Sequence, residues 1–182
     1  IRAVLAATLG ATYGIYGPPF EQCVGTPVKH GAEEYLDSEK YQVRHWDLNA
    51  PGNLRDFMTR INTARRENRA LQFNRGLKFY HVDNDKLICY GKTSPDGSNL
   101  IVTIVNLDPY HRQSGWVHLP IDDLGLGSEG DHTYQVHDLL SDARYLWNGA
   151  WNYVELDPHV CPAHILRVRK RIKTEHDFDY YT

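Results

Sequence analysis

The segment from Glu33 to Asn49 holds the side chains of this sequence that are best suited to chemistry on a polar ligand. Acidic and aromatic residues crowd it, and they follow neither the period of a helix nor that of a strand. Such a pattern is typical of a functional loop, because loops held by rigid elements carry many binding residues. Lys40 and Tyr41 offer a donor for hydroxyls or an anion and an aromatic face for a sugar ring. From the residues alone, a surface ion pair beside a packing tyrosine is the simpler interpretation.

Paired carboxylates occur in the same segment, as Glu33 with Glu34 and as Asp37 with Glu39. Glycoside chemistry needs two carboxyl groups about 5–10 Å apart across a sugar. Adjacent loop acids rarely have that geometry, and nothing here isolates one acid in an apolar pocket that would raise its pKa. We therefore predict solvated acids at these positions and not catalytic ones. A nucleophile elbow, a phosphate-binding loop and a dinucleotide fingerprint are absent from the sequence.

Cys161, His159 and His164 have a spacing that metal ligands can have. A zinc site needs three or four ligands that converge tetrahedrally. Residues two or four apart on a strand share a face by chance, so we predict structural roles and no metal site.

A basic run at residues 167–173 could contact phosphates. Its arginines alternate with other residues, which places them on one face of a terminal strand. Because edge strands commonly carry positive charge that blocks aggregation, a structural role is the favoured prediction.

Composition excludes several classes of function. The net charge of −3 creates no field that would attract nucleic acid. Three cysteines far apart in the sequence argue against a disulfide framework and favour a reducing compartment. No apolar run approaches the roughly 20 residues that cross a bilayer. We expect a cytoplasmic protein with no membrane or nucleic-acid partner, and a start at Ile1 without Met suggests part of a longer chain.

The elements before residue 71 must position the loop. The pattern predicts a short helix over residues 1–11 and a short buried strand at Tyr13–Gly17 that ends at two prolines. An amphipathic helix is predicted from about Leu54 to about Asn68, with Asn53 as its N-cap. Its apolar face consists of Leu54, Phe57, Met58, Ile61 and Ala64.

After Leu71 the apolar period changes to two, which indicates strands. The unbroken apolar run at residues 100–107 predicts a central strand. Antiparallel strands at near-regular spacing suggest a sandwich. The predicted strands are 77–82, 86–90, 100–107, 115–119, 133–137, 145–147, 152–156 and 163–169.

Several strings in this sequence resemble the C-terminal part of the α-1,4-glucan:maltose-1-phosphate maltosyltransferases, a family within glycoside hydrolase family 13 of the α-amylase superfamily. They include EEYLDSEKYQVRHWDL, INTARRENRALQ, GSNLIVTIVNLDP and YLWNGAWNYVELDP. The resemblance extends over essentially the whole chain, and EYLDSEKY and RHWDL are its most specific parts.

The resemblance implies a mainly β fold: a C-terminal antiparallel β-sandwich preceded by the last βα portion of a (β/α)8 barrel. Residues 1–70 would be the end of the barrel, with strand eight at about Gly14–Tyr16, a long loop and helix eight. Residues 71–172 would be the sandwich and residues 173–182 a tail. Active sites of such barrels lie on the loops that follow the strands, as the loop after strand eight does.

The resemblance also implies an activity. The full enzyme would transfer maltosyl from maltose 1-phosphate to the non-reducing end of a glycogen-like α-1,4-glucan, with retention and release of phosphate, and without a cofactor. Its catalytic carboxylates are expected upstream of Ile1, so this chain would hold no catalytic residue. Lys40 and Tyr41 match the SEKY motif, whose Lys-Tyr pair contacts the donor maltosyl unit in the family.

Two other classes of function stay open. A stand-alone carbohydrate-binding sandwich would stack Trp116, Trp147 and Trp151 on a glucan, which requires these rings to be exposed. A structural or dimer-forming domain would bind no ligand. The sequence leaves the oligomeric state open, with a homodimer as one option.

Overall fold

The computed structural model describes residues 1–36, 43–127 and 132–170. Within these ranges the helices come first: α1 (Arg2–Leu9), α2 (Gly17–Glu21), α3 (Arg55–Glu67) and a 3₁₀ turn (Arg69–Gln72). The strands follow as β1 (Leu77–Tyr80), β2 (Leu87–Thr93), β3 (Leu100–Asn106), β4 (Gln113–His118), β5 (Thr133–Asp138), β6 (Arg144–Asn148), β7 (Trp151–Leu156) and β8 (Ala163–Lys170). No helix in the described ranges has the length and apolar character that crossing a bilayer requires.

The strands form two antiparallel sheets. The larger has the order β1-β2-β3-β8-β5-β6, and the smaller consists of β4 and β7. The chain after β1 joins the two sheets, because His118 donates its backbone N–H to the carbonyl of His81 at 2.9 Å. The mainly β, antiparallel prediction is therefore confirmed.

The apolar core of the sandwich lies between the two sheets. The larger sheet contributes side chains such as Cys89, Leu100, Val102, Ile104, Tyr134, Val136, Leu166 and Val168, and the smaller contributes Val117, Val154 and Leu156. Every residue of β3 is buried, and β3 is paired on both sides, with β2 and β8. The prediction of a central strand at residues 100–107 is thus confirmed.

The helices cover the opposite face of the larger sheet. Ala3, Val4 and Ala7 of α1 and Met58, Ile61 and Ala64 of α3 pack with Ile101, Val105, Ala163 and Ile165 of the sheet. The predicted apolar face of α3 is therefore the face that contacts the core. The N-cap of α3 is Leu54 and not Asn53, so that prediction is wrong by one residue. The Asn53 Oδ1 atom nevertheless accepts from the backbone N–H of Arg55 at 3.0 Å and satisfies one of the unpaired donors at the start of this helix.

Polar groups fasten α1 to its neighbours. Arg65 of α3 donates to the carbonyls of Ala7, Gly10 and Ala11 at the C-terminal end of α1. The Nζ atom of Lys92, which is buried in β2, donates to the carbonyl of Leu9 at 3.1 Å. The last carbonyls of a helix lack partners within the helix and carry partial negative charge, so cations stabilise them.

Two local predictions are wrong. Residues 12–16 are in neither strand nor helix, although a short strand was predicted there. A strand needs a neighbouring backbone to bond with, and no strand in the described ranges pairs with this segment. Pro18 and Pro19, predicted to stop that strand, lie in the first turn of α2, where a missing N–H removes no helical hydrogen bond.

The edge position predicted for the basic run is also wrong. β8, which carries Arg167 and Arg169, lies between β3 and β5 and is an internal strand. The β5–β6 hairpin pairs beyond it and forms that edge of the sheet. Residues 171–173 of the run lie outside the described residues.

Candidate functional site

The loop that connects α2 with α3 is the predicted substrate-binding segment. Its first arm folds back on itself, because Val28 donates its N–H to the carbonyl of Glu34 at 2.9 Å and Leu36 donates to Thr26 at 2.8 Å. Lys40 and Tyr41 follow this arm and lie outside the described residues. Their predicted contact with the donor sugar therefore stays a prediction.

An aromatic cluster joins the two arms of the loop. The rings of Tyr16 and Tyr35 lie 5.4 Å apart between centroids, and the guanidinium carbon of Arg44 lies 4.8 Å from the ring centroid of Trp46. These four side chains line one cavity of about 10 Å³. A cavity of that size holds about one water molecule and no sugar ring. The cluster therefore supports the loop.

The second arm is bound to the two flanking helices. Gln22 donates its side-chain amide to the carbonyl of Asp47 at 2.8 Å. Leu54 donates its N–H to the carbonyl of Glu21 at 2.7 Å, which joins the start of α3 to the end of α2. Arg55 donates to the Asn49 Oδ1 atom at 2.7 Å. Both arms around residues 37–42 are thus anchored, which is the support that a binding loop requires.

The acids of the loop agree with the prediction as far as they are described. Glu33 and Glu34 are exposed to solvent. Asp37 and Glu39 lie outside the described residues. Both described acids are therefore in contact with solvent, as predicted.

The three residues with metal-like spacing contact separate partners. The Sγ atom of Cys161 donates to the carbonyl of Ala163 at 3.1 Å, and the His159 Nε2 atom lies 3.1 Å from the carbonyl oxygen of Tyr110. The Nδ1 atom of His164 lies 3.0 Å from the Asp138 Oδ2 atom. In the described part of the chain no group of acidic, His and Cys side chains is placed to hold a metal ion. The cysteines Cys23, Cys89 and Cys161 are free thiols.

Asp138 is a buried polar centre that the sequence analysis did not identify. Its Oδ2 atom accepts from the Ser141 hydroxyl at 2.6 Å, and its Oδ1 atom accepts from the backbone N–H groups of Leu140 at 3.1 Å and Ile165 at 3.3 Å. Burial raises the pKa of this carboxyl, but the hydrogen bonds from His164, Ser141 and Leu140 outweigh it, so the net pKa lies below the ordinary value. An Asp followed by Ser three residues later is a turn signal that could have indicated it.

The tryptophans proposed for a carbohydrate-binding sandwich divide into two groups. Trp147 packs against the sandwich core, with its ring 6.2 Å from that of Tyr134. Trp116 and Trp151 are each 48% exposed, and Tyr153 beside them is 52% exposed. The outer face of the β4–β7 sheet is therefore aromatic, which the residue pattern alone did not specify.

The fold resembles part of each of two solved α-amylases. A maltogenic α-amylase, AmyB from Thermotoga neapolitana, superposes with a TM-score of 0.55 at 12% identity, over 91% of this chain and 35% of that chain. The α-amylase of Geobacillus thermoleovorans gives a TM-score of 0.51 at 19% identity, over 69% of this chain and 25% of that chain. The two superpositions show that this mainly β fold also occurs within solved α-amylases.

Sequence comparison identifies the family. A family model described as "GLGE, C-terminal" matches residues 79–168. The α-1,4-glucan:maltose-1-phosphate maltosyltransferase of Chlorobaculum tepidum is 47% identical over 92% of this chain, and that of Myxococcus xanthus is 46% identical over 100% of it. The chain spans 26% of each of these relatives. It belongs to the α-1,4-glucan:maltose-1-phosphate maltosyltransferase family and corresponds to the C-terminal quarter of its members.

Proposed function

We propose that this chain is the C-terminal part of an enzyme that transfers maltosyl from maltose 1-phosphate to a glycogen-like α-1,4-glucan and releases phosphate. The observation that carries the proposal is the 47% identity to a maltosyltransferase over 92% of the chain. Retention of configuration in this chemistry means two displacements through a covalent glycosyl-enzyme intermediate.

In this proposal the chain supports and positions a part of the donor site. Residues 1–70 form the last portion of the (β/α)8 barrel, residues 71–172 the sandwich and residues 173–182 a tail. Lys40 and Tyr41 contact the donor sugar from the loop between α2 and α3. The anchored arms on either side of residues 37–42 support this role, because precise binding needs a loop with fixed ends.

The full-length protein should release phosphate from maltose 1-phosphate when glycogen is the acceptor. The 182-residue chain alone should release none, because the proposal assigns the catalytic carboxylates to the part of the enzyme outside this chain. Phosphate release measured on both proteins tests the proposal. Turnover by the 182-residue chain, shown by mass spectrometry to be free of full-length enzyme, would refute the assignment of the carboxylates.

Lys40→Ala in the full-length protein should lower kcat/KM for maltose 1-phosphate by about ten- to a hundred-fold. A charge-assisted hydrogen bond to the sugar is worth about 1.5–3 kcal/mol, and each 1.4 kcal/mol is about tenfold. Steady-state phosphate release measures the effect, and Tm should change little. Lys29→Ala is the matched control, since Lys29 is an exposed lysine of the same loop. Equal kcat/KM for the two variants would contradict the assigned role of Lys40.

A further inference from the structure

We propose that the outer face of the β4–β7 sheet binds an α-glucan chain. This aromatic face consists of Trp116, Trp151 and Tyr153 with the flanking rings of His81 and His118. It lies on the side of the sandwich opposite to α1 and α3, because the helices and the β4–β7 sheet cover opposite faces of the larger sheet. The choice of α-glucan rests on the proposed function, in which that polymer is the acceptor.

Strand register places these rings side by side. Trp116 is paired with Tyr153 and His118 with Trp151 across the two strands. The ring centroids of Trp116 and Tyr153 are 5.7 Å apart, and those of His118 and Trp151 are 4.8 Å apart. The two pairs are offset by two residues, or about 6.8 Å along the strands. The ring planes are inclined by 65° in the first pair and by 58° in the second, so each pair can offer one aromatic face on which a sugar ring can stack.

The residues between the rings point into the core. Val117, Asn152 and Val154 are buried, whereas Trp116, Trp151 and Tyr153 alternate with them and remain about half exposed. The His81 ring lies edge-on to Trp151 at 5.6 Å and extends the surface onto the segment that joins the sheets. Because alternate residues of a strand face opposite sides of the sheet, the rings face outward and cannot pack in the core.

A polar depression of about 580 Å³ adjoins Trp116 and Tyr153. Its other wall carries Asp83, Asp85 and Lys86, whose carboxylates and ammonium can accept from and donate to sugar hydroxyls. A sugar ring has an apolar face, which can stack on an aromatic ring of the depression, and hydroxyl groups, which can bond to its polar wall.

The wall of the depression is held in place by hydrogen bonds. The Asp83 Oδ1 atom accepts from the backbone N–H of Trp116 at 2.7 Å, and the Asn84 side-chain amide donates to the carbonyl of Ser114 at 2.8 Å. Gly115 permits this approach, because a Cβ atom there would lie 2.7 Å from Asp83 Oδ1. The site is thus formed before any ligand binds, which lowers the entropy cost of binding.

The charges around the face favour a neutral sugar over an anion. Arg112 pairs with Glu155 at 3.1 Å and with Asp157 at 2.9 Å beside the rings, so its charge is already satisfied within the protein. Asp83 and Asp85 would repel a phosphorylated sugar. An uncharged α-glucan needs no free cation and is not repelled by these carboxylates.

Binding the polymer here would keep acceptor chains close to the enzyme through a second point of attachment. Two linked contacts raise the apparent affinity for a long chain without new contacts at the reacting end. The gain in apparent affinity should appear with glycogen and should be absent with an acceptor that is too short to reach both points of attachment.

The test uses the full-length protein and its Trp116→Ala/Tyr153→Ala double variant in glycogen affinity electrophoresis. The double variant should bind glycogen roughly ten-fold more weakly, as expected for the loss of two stacking contacts. Its KM for glycogen should rise, while kcat and the KM values for maltotetraose and maltose 1-phosphate should stay unchanged. Tyr110→Ala is the control, since Tyr110 is a 74% exposed aromatic residue outside the face.

Equal retardation of the wild type and the double variant would overturn the proposal. A Trp116→Phe/Tyr153→Phe variant keeps rings at both positions and should retain binding; if it loses binding as fully as the alanine variant, ring stacking is refuted. A lower Tm with unchanged retardation would show that another part of the full-length protein covers the face, which also overturns the proposal. Electrophoresis needs no turnover, so failure of the proposed activity would be seen separately, as absent phosphate release.

Discussion

Replacement of Asp138 by alanine should lower the free energy of unfolding at pH 7 by about 3–5 kcal/mol. The carboxylate is only 1% exposed and accepts hydrogen bonds from two side chains and two backbone N–H groups. Its removal leaves the backbone N–H groups of Leu140 and Ile165 buried without this partner. A buried donor without a partner typically costs about 1–3 kcal/mol.

The pH dependence of this effect has a definite sign. Because the folded-state pKa of Asp138 lies below its unfolded value, the carboxylate stabilises the fold above the unfolded pKa, about 3.9. That contribution is lost as the pH falls through the folded pKa. The unfolding free energies of the wild type and the Asp138→Ala variant should therefore converge as the pH is lowered below about 4.

Urea unfolding followed by tryptophan fluorescence at pH 7 and pH 3 measures both quantities. Asp138→Asn and Asp142→Asn form the matched pair, since each carboxylate contacts a histidine but their side chains are 1% and 77% exposed. Asp142→Asn should change stability little, because exposed ion pairs contribute little. If the two Asn variants are equally stable at pH 7, the burial argument for Asp138 is wrong.

Ile104→Ala should lower the free energy of unfolding by about 2–5 kcal/mol. Ile104 is fully buried in β3, opposite Cys89 on one side and His164 on the other. Its side chain packs in the core between the sheets, where neighbouring strands prevent collapse into the cavity that the substitution leaves.

The same urea measurement at pH 7 tests Ile104. Leu146→Ala is the control, since Leu146 is an aliphatic residue of β6 that is 61% exposed. The control should change stability by less than about 0.5 kcal/mol. Similar losses for both variants would show that β3 is not the packed centre of the sandwich.

Local patterns were sufficient to predict most of the secondary structure. The apolar run of β3 marks a strand that is buried throughout. The helical spacing of Met58, Ile61 and Ala64 marks the face of α3 that contacts the core. Such signals are local, because burial repeats with the period of the element that carries it. Both elements therefore appear in the structure close to the predicted bounds.

Pairing between strands could not be predicted in the same way. β8 was expected at an edge because it is the last strand of the chain and carries arginines, yet β5 bonds to it as well as β3. Which strand pairs with which depends on contacts far apart in sequence, and periodicity holds no information about them. The prediction of a strand near Gly14–Tyr16 failed for the same reason, since a strand forms only when a second strand pairs with it.

Of the two candidate sites, one was predicted from the sequence and the other required the structure. Lys40 and Tyr41 were found through a motif and remain predictions, since they lie outside the described residues. The aromatic face needed the structure, because Trp147 and Trp151 lie four residues apart yet one packs on the core and the other faces outward. Strand register decides which ring is exposed.

The packing of α1 and α3 on the outer face of the larger sheet has a consequence for genetics. Ile101, Val105 and Ile165 support α3, and α3 in turn holds the second arm of the loop through Leu54 and Arg55. A screen for missense mutations that reduce activity of the full-length gene should therefore recover changes at these three buried positions. The phenotypes of such mutants should resemble those of substitutions in the loop between α2 and α3, although the altered side chains are buried in the core.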